Sequence, residues 1–267
     1  MPHLLHIDAH VHYYPSYPLR DFLLAAARNL PRANPVDTRV LCLAERDDCH
    51  FFQALAQDEL PLPSDFRTIA YDPLGAIKLR HLPTHSDFWI AAGRQINTAE
   101  KIEICSLLSD ALIPSRLTLP ETLATIRAAD AIPLLNFAPG KWLFKRGKIL
   151  EKTVKSLAAD TPFLFADTTL RPTLLWPTPT LIRLARRLRR PVLAGSDPLP
   201  FAAEATMPAT YHATLPVPPP DDPASLIPYL RALLTSPSLP PATLSGLRSS
   251  PPAVLSRLFR NAKSKKS

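Results

Sequence analysis

The chain has 267 residues, 46% of them hydrophobic and 20% charged, enough apolar material for a large core, which excludes wholesale disorder. No apolar run approaches the roughly 18 residues a membrane span needs, and three scattered cysteines (Cys42, Cys49 and Cys105) exclude a disulfide framework or a CxxC zinc knuckle. The formal charge of +8 comes with 32 prolines against 6 glycines, and both imbalances are local.

In chain order, Leu4 to Ile7 reads as a short apolar strand running directly into Asp8, His10 and His12. Arg39 to Leu43 and Phe88 to Ala92 are further apolar strands. Residues 66–71 and 76–80, joined by Asp72-Pro-Leu-Gly75, fit a hairpin, as do residues 92–96 and 102–108. A helix–strand beat follows: helix Pro120 to Asp130, strand Ile132 to Phe137, helix Arg146 to Ala159, strand Pro162 to Ala166, an Arg-rich helix, then strand Pro191 to Gly195. Strand ends thus recur near residues 137, 167 and 197, about one βα unit apart. Apolar strands without polar alternation indicate a parallel sheet covered by helices. The expected fold is therefore α/β: a TIM-like βα barrel, distorted or incomplete, of seven or eight strands. It would occupy residues 1–206, with residues 207–267 a proline-rich extension and basic tail wrapped on the body.

Residues 1–175 balance 19 Lys and Arg against 19 Asp and Glu, whereas residues 176–267 carry 12 against 4. Two clusters supply most of this excess. Arg183, Arg186, Arg187, Arg189 and Arg190 interleave with apolar residues at helical spacing and read as a solvated outer face. Arg257, Arg260, Lys263, Lys265 and Lys266 read as a frayed tail. No aromatic residues interleave with either cluster to suggest base stacking, so nucleic acid is not the expected partner. The opening residues lack the basic end and long apolar stretch of a signal peptide, and a cytoplasmic protein without a membrane span is expected. Oligomeric state stays open.

The strongest chemical signal is His6-Ile-Asp-Ala-His-Val-His12. Residues two apart on a strand share a side, so His10 and His12 can present imidazole nitrogens to one ion with Asp8 beside them. Imidazole with carboxylate suits one divalent Zn, Mn or Fe ion at an open, water-bearing site. A second signal is the basic loop Lys141-Trp-Leu-Phe-Lys-Arg146 at a helix start, where cations oppose the helix dipole unless an anion binds. Lys141 and Arg146, with Arg94, would hold an anionic group and Trp142 would wall it. Asp167, at a strand end, could orient Lys141, act as general base, or cap the next helix.

The segment from His6 to His12 resembles the first-strand motif of metal-dependent hydrolases of the PHP (polymerase and histidinol phosphatase) family and of the amidohydrolase superfamily. Val192-Leu-Ala-Gly-Ser-Asp197 resembles their last-strand Ser-Asp signature, and Ala92 to Glu103 is similar to a PHP segment in which a glycine precedes a metal-binding Glu. Order and length favour PHP, over roughly residues 4–200. Several positions depart from the pattern. Cys42-Leu-Ala-Glu-Arg46 replaces the usual Thr-Asp-His run, Gln95 stands at the Glu position, and no histidine lies between His85 and His212. The resemblance therefore implies one ion rather than two or three, held by His10, His12 and Asp197 with Glu45 or Asp8. It implies hydrolysis of a phosphoester or other small anionic molecule by a metal-activated water, with Asp197 or Asp167 taking the proton. The alternatives are a catalytically weakened barrel acting as an interaction protein, and an amidohydrolase acting on a C–N bond or decarboxylating.

Overall fold

A computed structural model of the chain describes residues 3–31, 34, 36–142, 144–158, 161–174 and 177–264. Its elements in order are β1 (Leu4–Val11), α1 (Leu19–Asn29), β2 (Thr38–Leu43), α2 (Phe51–Ala56), β3 (Phe66–Asp72), β4 (Ala76–His81), β5 (Ser86–Ala91), β6 (Gly93–Asn97) and β7 (Glu103–Leu107). There follow α3 (Leu119–Ala128), β8 (Ile132–Asn136), α4 (Phe144–Ser156), β9 (Leu164–Thr168), α5 (Thr180–Arg187), β10 (Val192–Gly195), β11 (Tyr211–Pro216), α6 (Leu226–Thr235), β12 (Thr243–Gly246) and α7 (Pro251–Ser264).

The helix–strand beat and both hairpins form where the sequence pattern places them. β8 and β9 are buried along their whole length, as strands covered on both faces must be. α3 starts on a full capping box, with Thr118 and Glu121 each satisfying the other's backbone N–H. α4 covers most of the helix expected from Arg146 to Ala159, although Ala159 lies outside the described residues.

The closed βα barrel does not form. The strands make two open mixed sheets, one of seven strands in the order β12-β11-β1-β2-β5-β4-β3 and one of five in the order β10-β9-β8-β7-β6. A TIM-like arrangement needs an unbroken parallel repeat. Here antiparallel pairs interrupt it at β3/β4/β5, at β6/β7/β8 and at β11 with both β1 and β12. The chain crosses between sheets at Gly93, directly after β5. A Cβ there would sit 2.2 Å from the Leu43 carbonyl oxygen, so only glycine permits the crossing.

Three apolar clusters hold the layers together. Leu5, Ile7 and Ala9 meet Leu107, Leu134 and Leu193 between the sheets. Phe22, Leu23 and Phe51 of α1 and α2 pack on the outer face of the larger sheet. Leu123, Leu150 and Leu181 of α3, α4 and α5 cover the smaller one. The proline-rich extension is woven into this body, since β11 pairs with β1 in the register Leu5 to Leu215. The expected frayed tail is instead helix α7 as far as Ser264, while Lys265 and Lys266 lie outside the described residues. No helix among the described residues is long and apolar enough to cross a membrane.

Candidate metal centre

A bulge at the end of β1 builds the site. Asp8 lies opposite Leu41 and Val11 opposite Leu43, so three steps on β1 match two on β2. The extra residue inverts the alternation. Leu5, Ile7 and Ala9 face the core between the sheets, whereas Val11 faces the core under α1 and α2. After the bulge it is therefore His10 and His12 that point between the sheets, and Asp8 that does not share their side.

His10 and His12 are joined by Asp197, on the turn after β10. Their ligand atoms converge: His10 Nε2 lies 3.0 Å from His12 Nε2 and 3.5 Å from Asp197 Oδ1, and His12 Nε2 lies 3.8 Å from the same oxygen. Ligands about 2.1 Å from a tetrahedral ion stand roughly 3.4 Å apart, which the three separations bracket. All three side chains are buried, and together they could hold a metal ion. Close packing of β10 on β1 makes this possible, because a Cβ at Gly195 would come within 2.5 Å of His10 Cβ.

The electrostatics differ among the three groups. Burial pushes the His12 imidazole down to about 3, reinforced by His10, so it stays neutral with a lone pair to offer. For His10, burial opposes protonation, but Cys105 and Asp197 outweigh it and hold the imidazole well above its ordinary range. Burial likewise opposes ionisation of Asp197, and His10 reverses this, keeping it a carboxylate. The other ring nitrogen of His10 is oriented by its neighbours. Nδ1 lies 3.2 Å from Cys105 Sγ, and that thiol donates to Asn136 Oδ1 at 3.6 Å.

The remaining expected ligands have other partners. Asp8 accepts backbone N–H bonds from Ser196 (2.9 Å) and His10 (3.2 Å) on one oxygen and from Ala209 (2.7 Å) on the other. It thereby staples β1 to the turn that carries Asp197. Burial pushes its carboxyl up to about 7 despite these bonds. Glu45 accepts the Phe52 N–H at 2.8 Å and lies 3.8 Å from Arg94. It stands outside the triad.

The expected substrate residues divide. A cavity of about 530 Å³ opens on the triad, lined by His12 and Asp197 together with Tyr14, Arg46, Gln95 and Lys141. Lys141 is present but ion-paired with Glu103, which lines the same cavity. Arg94 is 2% exposed and spends its guanidinium on the Asp110 and Cys49 carbonyls. Arg146 donates to Gly140 and Lys101 carbonyls, and Trp142 packs edge-on against Phe137 facing a separate groove. Asp167 is held by both guanidinium arms of Arg171 and by the Tyr211 hydroxyl, and is not part of the triad.

Three contributors had little signal in the sequence. Tyr14 sits two residues beyond His12. Arg46 looks like any loop cation until the cavity is seen. Arg257 belongs to the basic tail, yet is buried, with bonds to Glu204, Thr169, Ser249 and the Asp197 carbonyl. The α7 residues Leu258 and Asn261 then line the cavity mouth.

No family model matches the chain. No curated protein matches it either. Among solved structures the chain is similar to PsfC from Pseudomonas syringae PB-5123, with 16% identity and a TM-score of 0.57 over 98% of this chain and 99% of that one. At that identity the likeness shows a shared fold.

Proposed function

We propose that the chain is a metal-dependent hydrolase acting on a small anionic molecule, with one divalent ion held by His10, His12 and Asp197. The convergence of those three buried ligand atoms, two of them on residues that line an open cavity (His12 and Asp197), carries the reading. A set of three protein ligands bordering a cavity leaves room for water or substrate, as catalytic rather than structural sites do. Zinc suits two imidazoles and one carboxylate, and manganese or iron are the other candidates. When bound, such an ion polarises a substrate oxygen and lowers the pKa of water towards neutrality.

The chain's own groups do the rest. His10 is fixed in rotation by Cys105, and His12 stays neutral. Asp197 is the carboxylate nearest both imidazoles and the open cavity, so it takes the water proton as the water oxygen attacks and the leaving group departs with its electron pair. Asp167, locked to Arg171 and Tyr211, has no part in this step. Buried Leu199 and the wall from α7 limit competing water.

Release of p-nitrophenol from p-nitrophenyl phosphate by the zinc- or manganese-loaded protein tests the reading. Asp197→Asn should lower turnover at least 100-fold, and Asp167→Asn should leave it within a few-fold if the fold survives. Equal turnover for Asp197→Asn and the unaltered chain would overturn it.

A further inference from the structure

Helix α7 carries an apolar face on its outside. Its inner side is fixed to the body by buried Val254 and by Arg257, whose guanidinium bonds Glu204, Thr169, Ser249 and the Asp197 carbonyl. On the other side Leu255 and Phe259, one helical turn apart, are 69% and 73% exposed. Pro252 continues the same stripe and is exposed as well. So are Leu247, just ahead of the helix, and Leu174, beside the Thr173 N–H that bonds the Ser249 carbonyl. Apolar residues scattered singly over a surface are ordinary, but a pair aligned on one docked helix marks a contact face.

The charge around this face says what it meets. Residues 223–267 hold seven Lys and Arg and no Asp or Glu. Two of the seven, Arg260 and Lys263, are exposed on α7, with Arg260 lying over the Phe201 ring at 4.5 Å. Leu and Phe on one face with Lys and Arg beside them suit a helix lying in the plane of an anionic lipid surface. The apolar side chains enter among the acyl chains and the cations meet the headgroups. A second copy docked through the same face would instead bring like charges together.

We propose that the Leu255 and Phe259 face of α7 is a docking site for an anionic phospholipid surface, with Arg260 and Lys263 at the headgroups. The site does not depend on the metal centre. Leu258 and Asn261 of the same helix line the cavity mouth, so docking holds that mouth close to the lipid.

Sedimentation of the full-length protein with phospholipid vesicles tests the site. Vesicles of phosphatidylcholine with about one-third phosphatidylglycerol should carry the unaltered chain down, and phosphatidylcholine alone should not. Leu255→Ser/Phe259→Ser keeps the net charge and should bind about tenfold more weakly or worse. Lys263→Gln should bind about fivefold more weakly, the worth of one cation near such a surface. Leu74→Ser alters an exposed leucine on the turn after β3, at the opposite end of the larger sheet from β12, and should leave binding unaltered. Undiminished binding by Leu255→Ser/Phe259→Ser overturns the site, as does an equal loss in Leu74→Ser. Equal binding to both kinds of vesicle overturns its anionic character and the proposal with it. An unaltered chain that binds neither kind also overturns it and leaves the face to a protein partner. Analytical ultracentrifugation checks the remaining occupant: a dimer that Leu255→Ser/Phe259→Ser dissociates would give the face to a second copy and overturn the proposal.

Discussion

Arg257 donates from Nη2 to the backbone carbonyl of Asp197 at 3.0 Å while its other nitrogens grip Glu204, Thr169 and Ser249. Asp197 has φ of +47°, in the left-handed region that costs a non-glycine residue about 1 kcal/mol or more. Three anchors hold it there: Arg257 on its carbonyl, the His10 carbonyl on its N–H at 3.0 Å, and Asp8 on the preceding Ser196 N–H. The C-terminal helix thus helps to fix the Asp197 backbone beside His10 and His12.

Removing that anchor should weaken the site as well as the fold. Arg257→Ala leaves the buried Glu204 carboxylate unpaired, a loss of about 3–5 kcal/mol in stability. It should also weaken zinc binding roughly 10-fold or more, as loss of a ligand-orienting partner does. Chemical denaturation and competitive zinc titration read the two effects separately. Glu204→Gln tells them apart, because it breaks the ion pair while Arg257 keeps the Asp197 carbonyl. It should lose stability but keep most of its zinc affinity.

Cys105 should matter through His10. Cys105→Ala deletes the partner of His10 Nδ1 and leaves the ring to turn, so zinc affinity should fall about 10-fold. Cys105→Ser replaces the thiol with a hydroxyl that can serve His10 and Asn136 in the same way, and should recover most of it. A metal-competition assay with a chromophoric chelator compares the three proteins. Equal affinities for all three would show that Cys105 does not orient the ring.

Much of this architecture was legible from residue pattern. The first hairpin announced itself through Asp72-Pro-Leu-Gly75, the second through its paired apolar runs at residues 92–96 and 102–108, and the βα beat through alternating apolar runs. The barrel was over-read because local pattern cannot say whether a strand pairs parallel or antiparallel with a distant neighbour. β11 is the clearest case, lying 200 residues from β1 in a stretch where proline suggested irregular chain. At the site, His10, His12 and Asp197 were visible as motif ends. Asp8, expected beside the two histidines, lies on the other side because a one-residue bulge reverses which side chains share a face, and nothing in the sequence marks that bulge. Lys141 and Arg94 met carboxylates that only tertiary structure brings to them.

Acid should destabilise the fold through histidines remote from the ion. Burial lowers His3, His6 and His212 below their ordinary value of 6.5, and Asp37, beside His3 and His6, only partly offsets this. The unfolded chain therefore binds more protons than the native one as pH falls through 6.5. Stability from these groups is fully present above that pH and declines below it. Asp8 and His10, both raised, act in the opposite sense over the same range, so the contribution is read as a difference between metal-free variants rather than as a net trend. Against the unaltered chain, His212→Asn, which can keep a bond to the Ala209 carbonyl, should lose less urea midpoint between pH 7.5 and 5.

The decisive quantity is the metal content of the full-length protein. After loading with zinc and removal of excess, elemental analysis should find close to one equivalent in the unaltered chain. It should find less than a tenth of an equivalent in His10→Ala/Asp197→Ala, with circular dichroism spectra unchanged. Less than a tenth of an equivalent in the unaltered chain, or undiminished zinc in the double variant, would contradict the assignment of His10, His12 and Asp197 as a metal centre.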